Sequence, residues 1–200
     1  MSYKNSKVKI LLILKEVNSK DRKSVDLKSF LKEGAHGRRV TWANVARWVY
    51  CIQNQTLTYK WEDISSKKRS LELMESELPS VCVMNMKKVP GGHTSVHEEV
   101  EASFAKDLDL LKEQFNLYNN DSVSSPDIII GCGSFNSDLF AKQILEVDGS
   151  KWKETSRGVG YYEFKPNKFF IDYLHPAARA SDNILHYGLL DAVNEIRNKK

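Results

Sequence analysis

Cysteine is scarce in this chain and poorly spaced for a structural role. Cys51, Cys82 and Cys132 are the only three. The number is odd and no Cys-x-x-Cys pair occurs, which excludes a disulfide framework and the common zinc and iron–sulfur spacings. Long apolar runs are missing too. Nothing approaches the roughly 18 consecutive apolar residues that begin to span a bilayer, so no membrane partner is expected. The basic start, Met1 to Lys9, leads only into Ile10 to Leu14, too short for a signal-peptide core, and points to the cytoplasm. Internal repeats and low-complexity segments are absent. Charge of one sign does not dominate either. Thirty Lys and Arg against 26 Asp and Glu leave +4, a mildly basic balance that permits nucleic acid without specifying it.

What is present describes an ordinary globular protein: 41% hydrophobic and 28% charged residues in a chain of 200. That length suits one domain, 1–200, expected to be monomeric and able to bury roughly 70% of its extended surface. Four apolar runs read as strands: Val8 to Leu14, Ser80 to Met86, Asp127 to Gly133 and Phe169 to Leu174. Continuous Ile, Leu and Val, rather than alternation, mark strands buried on both faces. Helical spacing fills the gaps. Leu27 to Glu33 follows a capping Asp26, and Trp42, Val45, Ala46 and Val49 share a face toward Cys51. Lys67 to Glu77 follows an irregular Gln53 to Ser66. Val96 to Tyr118 is the longest pattern, then come Asn136 to Leu145 and Ala177 to Ile196. Val159 to Phe164 reads as a short extension before the fourth strand. Strands separated by helices predict an α/β fold, three layers (α/β/α) around a central four-stranded parallel sheet.

In a parallel sheet all strand exits share one edge, where ligands bind. The exits carry Glu16, Asn18 and Asp21; Asn85, Lys87 and Lys88; Gly131 to Ser134; and His175. His175 is followed by Pro176, which lacks an amide hydrogen and ends the strand. It is either a site residue or merely a cap for the next helix. Gly131-Cys-Gly-Ser134 could cradle a phosphate, but close strand–helix packing is the stronger reading of its glycines. The stretch lacks a dinucleotide fingerprint, a phosphate-loop lysine and the Gly-x-Ser-x-Gly elbow. His93 and His97 have the spacing of zinc ligands without the glutamate of His-Glu-x-x-His between them, so no metal is expected. Arg38, Arg39, Arg47, Lys87, Lys88 and Arg179 could form a basic rim for a phosphate backbone, or simply a solvated surface. Trp42 is either core or a base-stacking platform.

Together the exits resemble the uracil-DNA glycosylase superfamily. Val83-Met-Asn-Met-Lys-Lys-Val-Pro-Gly-Gly92 is similar to the Asn-x-x-Lys-x-x-Pro-Gly pattern of thermostable members, and Ile171-Asp-Tyr-Leu-His-Pro-Ala-Ala-Arg179 to the His-Pro motif. Pro126 to Gly133 is similar to the third strand. The first motif departs, because Lys15-Glu-Val-Asn-Ser has neither the family's glycine nor its proline, and the iron–sulfur cysteines of thermostable members are missing. The resemblance implies a base-excising glycosylase that acts on uracil or a related lesion flipped out of single- or double-stranded DNA, without a cofactor. It assigns Glu16 and His175 to catalysis, and Asn18, Trp42 and Asn85 to the base. Lys87, Lys88, Arg38, Arg39 and Arg179 would contact DNA. Two other readings stay open: a non-catalytic nucleic-acid or nucleotide-binding domain, and an unrelated α/β enzyme that acts on small nucleotides.

Overall fold

A computed structural model describes residues 2–17, 26–32, 39–55, 59–91, 96–121 and 123–198. The first apolar run forms β1 (Ile10–Leu14), whose five residues are all buried. After it come α1 (Leu27–Lys32), α2 (Arg39–Asn54), α3 (Trp61–Ser65), α4 (Lys67–Glu77) and β2 (Cys82–Asn85). The chain continues through α5 (His97–Lys106), α6 (Leu108–Asn119), β3 (Ile128–Cys132) and α7 (Ser134–Gln143). It closes with β4 (Lys153–Glu154), β5 (Gly160–Lys165), β6 (Lys168–Tyr173) and α8 (Asp182–Asn198).

The fold is α/β, but its sheet is six-stranded and mixed rather than four-stranded and parallel. The order is β2-β1-β3-β6-β5-β4. β1 pairs in parallel with β2 and β3, and β3 with β6, whereas β5 and β4 add on antiparallel. The two extra strands come from a tight hairpin. Pro166 and Asn167 bridge the Lys165–Lys168 pair, and Asn167 sits at φ 59°, a left-handed conformation that asparagine tolerates better than most residues. The segment expected as a short extension before the fourth strand is therefore a strand in its own right.

Period-two alternation along β1 feeds two cores. Ile10, Leu12 and Leu14 face α2, α4 and α8 with Trp48, Leu73 and Leu189. Leu11 and Ile13 face α6 and α7 with Leu111, Phe115 and Phe140. Each buried Leu or Ile contributes roughly 1.5–3 kcal/mol, so β1 anchors both layers. The long helix expected over 96–118 is two helices. The chain breaks at Asp107, whose amide bonds back to the Ser103 and Phe104 carbonyls at 3.1 Å. Phe104 and Leu111 lie two turns apart, so both halves keep the same apolar face inward. The segment expected to be irregular before Lys67 contains α3. The last helix starts only at Asp182, which leaves His175 to Ser181 as a loop at the carboxyl edge of the sheet.

Candidate functional site

The parallel strands bring the expected exits to one edge, and alternation assigns them a face. Leu14 and Asn85 are register partners. Val83, two residues before Asn85, packs into the α2–α8 core, as do Leu14 and Tyr173. Carried past the strand ends, the same period puts Glu16 and His175 on that face with Asn85. The site region is therefore the carboxyl edge on the side of α2.

Asn85 closes β2, is half-buried, and makes no side-chain hydrogen bond to any described residue. An amide held at the mouth of a sheet with no side-chain hydrogen bond to a described residue is placed to read a planar ligand that carries both a donor and an acceptor. His175 is held more firmly. Its Nδ1 accepts the Ala177 amide at 3.0 Å, and its carbonyl accepts the Ala178 amide at 2.8 Å. With Nδ1 acting as acceptor, the neutral ring carries its proton on Nε2. Burial, and then the nearby Lys15 ammonium, pull the imidazole pKa below its usual value, so the ring is a neutral Nε2–H donor at neutral pH. It does not cap α8, which begins farther along.

Glu16 and Lys87 occupy this region in a form that the sequence does not suggest. Lys87 Nζ approaches Glu16 Oε2 at 2.8 Å, with side chains only 10% and 4% exposed. Gly91 closes over the pair: a Cβ there would lie 2.0–2.3 Å from the Glu16 carboxyl group. The loop is zipped to β1 by amides of Met86, Lys87 and Gly91 on the carbonyls of Leu14, Lys15 and Val17. The carboxylate expected to place water is thus neutralised and covered. The two lysines expected to contact DNA are also turned inward. Lys88 donates to Gln114 on α6, and burial lowers its pKa. Among the described residues of this loop, Val89, not a lysine, is the one most open to solvent, at 57% exposed.

Trp42, expected over the base, is a core residue packed edge-to-face on Phe30 at 5.9 Å. Arg179 is exposed in the loop after His175, as a rim residue should be. Asn18, Asp21 and Arg38 lie outside the described residues, and Arg39 opens α2 with its side chain likewise outside them. The glycines of β3 serve packing. A Cβ on Gly131 would meet Ser137 Oγ at 2.3 Å and Phe170 Cζ at 2.8 Å. Gly133 takes φ 98° before α7, and its amide bonds the Tyr173 carbonyl at 2.7 Å. His93 is outside the described residues. His97 stacks on Phe135 at 4.1 Å, and no group of three potential metal ligands occurs among the described residues.

Asn44 and Asp182, behind the His175 loop, are not apparent from the sequence, and Arg47, expected on the basic rim, is instead buried with them at 5% exposed. Asn44 Nδ2 donates to the Pro176 carbonyl at 2.8 Å and to Asp182 Oδ1 at 2.9 Å. Its Oδ1 accepts from Arg47. Arg47 also bonds the Ile64 carbonyl at 3.3 Å and Ser70 Oγ at 3.2 Å, lies 5.1 Å above the Trp61 ring and reaches Asp182 at 3.9 Å. The available signal is polar residues one helical turn apart inside the apolar stretch from Trp42 to Val49, because buried polar groups are rarer and more informative than exposed ones. No family model matches this chain, and no curated protein matches it.

Proposed function

We propose that the chain is a base-excising DNA glycosylase, a divergent relative of the uracil-DNA glycosylase superfamily that it resembles. The observation that carries the reading is the pairing of two groups on one face of one sheet edge. The Asn85 amide makes no side-chain hydrogen bond to a described residue, and His175 is fixed as a neutral Nε2–H donor. The target base leaves the helical stack at a cost of about a few kcal/mol. Asn85 pairs with the donor–acceptor imide edge of uracil. The bond from the sugar C1′ to the base nitrogen then breaks, with its electron pair leaving on the base. His175 Nε2–H hydrogen-bonds the carbonyl oxygen on which that charge collects, an effect worth roughly 3–4 kcal/mol for a well-placed donor in other enzymes. Water adds to C1′ and gives up a proton, and the base anion takes one up. Arg179 lies on the rim toward phosphate. The positively charged character of the sugar lowers the demand for a strong base, in keeping with a Glu16 already paired.

The buried Glu16–Lys87 pair also favours a second reading, a DNA-binding domain of this shape without catalysis. A single-stranded oligonucleotide with one uracil, treated with alkali after incubation, separates them. The first reading expects strand scission, reduced at least about 100-fold in His175→Ala and strongly in Asn85→Ala. Intact strand with salt-dependent retention of the oligonucleotide supports the second. Neither scission nor retention contradicts both.

A further inference from the structure

We propose that Asn44 is a positioning residue that fixes the tautomer of His175 through the peptide group joining Pro176 to Ala177. The proposal deepens the reading of His175 as the site donor and rests on it for its consequence, though not for its test. One planar trans peptide carries both contacts. Its carbonyl, on Pro176, accepts from Asn44 Nδ2 at 2.8 Å, and its amide, on Ala177, donates to His175 Nδ1 at 3.0 Å. In a trans peptide the C=O and N–H point opposite ways from one rigid plane. Holding the oxygen from the α2 side therefore aims the N–H at the imidazole. A hydrogen bond on the carbonyl also polarises the amide, strengthening its donation by about 10–30%.

Asn44 is itself immobilised. Both its amide hydrogens are used, one on Pro176 and one on Asp182, and Arg47 donates to its oxygen. Asn44 is fully buried and Arg47 is 5% exposed. A buried charged and polar cluster of this kind is often no more stabilising than apolar residues of the same volume. Its geometric product here is the orientation of one peptide plane beside the site. Without that plane Nδ1 loses its donor, and the neutral ring distributes its proton between both nitrogens.

The test is a long-range proton–nitrogen spectrum of the histidine rings in the whole uniformly labelled chain near neutral pH. His186, which Asn44 does not touch, is the internal reference. The native protein is expected to show His175 as a single Nε2–H tautomer. Asn44→Ala should move both its ring nitrogens toward the averaged positions of a mixed tautomer. Asn44→Asp keeps the shape and removes the donor, and should do the same, so the result does not depend on one variant folding. Leu73→Ala, a core truncation in the same layer, should leave the His175 pattern unchanged. Native ring positions in a folded Asn44 variant, or an equal change in Leu73→Ala, would overturn the proposal. Absence of uracil excision in the native protein would remove the glycosylase reading and leave this result standing.

Discussion

The two walls of the candidate site both hold opposite charges, a buried pair on one and a buried Arg47 with a 41% exposed Asp182 on the other, and they use them differently. On the β1–β2 wall the charged groups are the ones that the sequence offers for chemistry. Glu16 and Lys87 meet each other at 2.8 Å under Gly91, so neither faces the ligand. On the β6 wall the charges stand one layer back. Arg47 and Asp182 hold Asn44, Asn44 holds Pro176, and His175 commits its Nδ1 to the Ala177 amide, with no hydrogen bond from Nε2 to a described residue. An ion pair occupies a site when its members are the site's own groups, and supports a site when they lie behind it.

The largest effect should come from opening the first wall. Lys87→Ala removes the cation 2.8 Å from a carboxylate that is only 4% exposed, and should destabilise the fold by about 3–5 kcal/mol in chemical denaturation. The apolar replacement Glu16→Met with Lys87→Met should recover most of that loss. Recovery that fails would mean that the pair has more partners than its charges require.

Acid should attack the second wall. His186 sits behind it, between Cys51 at 3.7 Å and the Trp61 ring. Burial and then the Arg47 charge bring its pKa down from 6.5 to about 4. The unfolded chain takes up the proton first, so the neutral folded ring stabilises fully above about pH 6.5. That stability is lost as pH falls toward 4, by about 3 kcal/mol. His175 is depressed in the same direction and adds to the slope. Denaturation at pH 7 and pH 4.5 should show a smaller difference in His186→Leu than in the native chain, and equal differences would contradict this assignment.

Gly91→Ala presses a methyl group against the Glu16 carboxylate and should cost about 1–3 kcal/mol, readable as a shift in the thermal midpoint. Arg179→Ala, on the exposed rim, should change stability by no more than about 0.5 kcal/mol. It should weaken oligonucleotide binding and reduce the salt slope by about one. An unchanged slope would place the phosphate elsewhere.

Much of the frame is legible in the sequence, because β1, β2, β3 and β6 are continuous apolar runs and such runs have few other uses. The β5 strand was only half visible. Tyr161 is buried while Glu163 beside its turn is exposed, and the pairing with β6 depends on a two-residue turn rather than on any apolar run. Trp42 falls inward by its own helical spacing with Val45 and Val49, and the structure follows that spacing. Lys87 and Lys88 read as surface cations because their partners, Glu16 and Gln114, lie far away in the chain. Asn44 was hidden for the same reason, since Pro176 and Asp182 are 132 and 138 residues away. Local pattern finds elements and exits. What each polar group does at an exit depends on partners that only the fold supplies.

The most direct measurement is the rate of uracil release from a single-stranded oligonucleotide by three proteins: native, His175→Ala, and the double replacement of Glu16 and Lys87 by Met. The account predicts release by the native chain, a fall of at least about 100-fold in His175→Ala, and a rate within about tenfold of native in the double variant. No release by the native protein, or a double variant as inactive as His175→Ala, would contradict it.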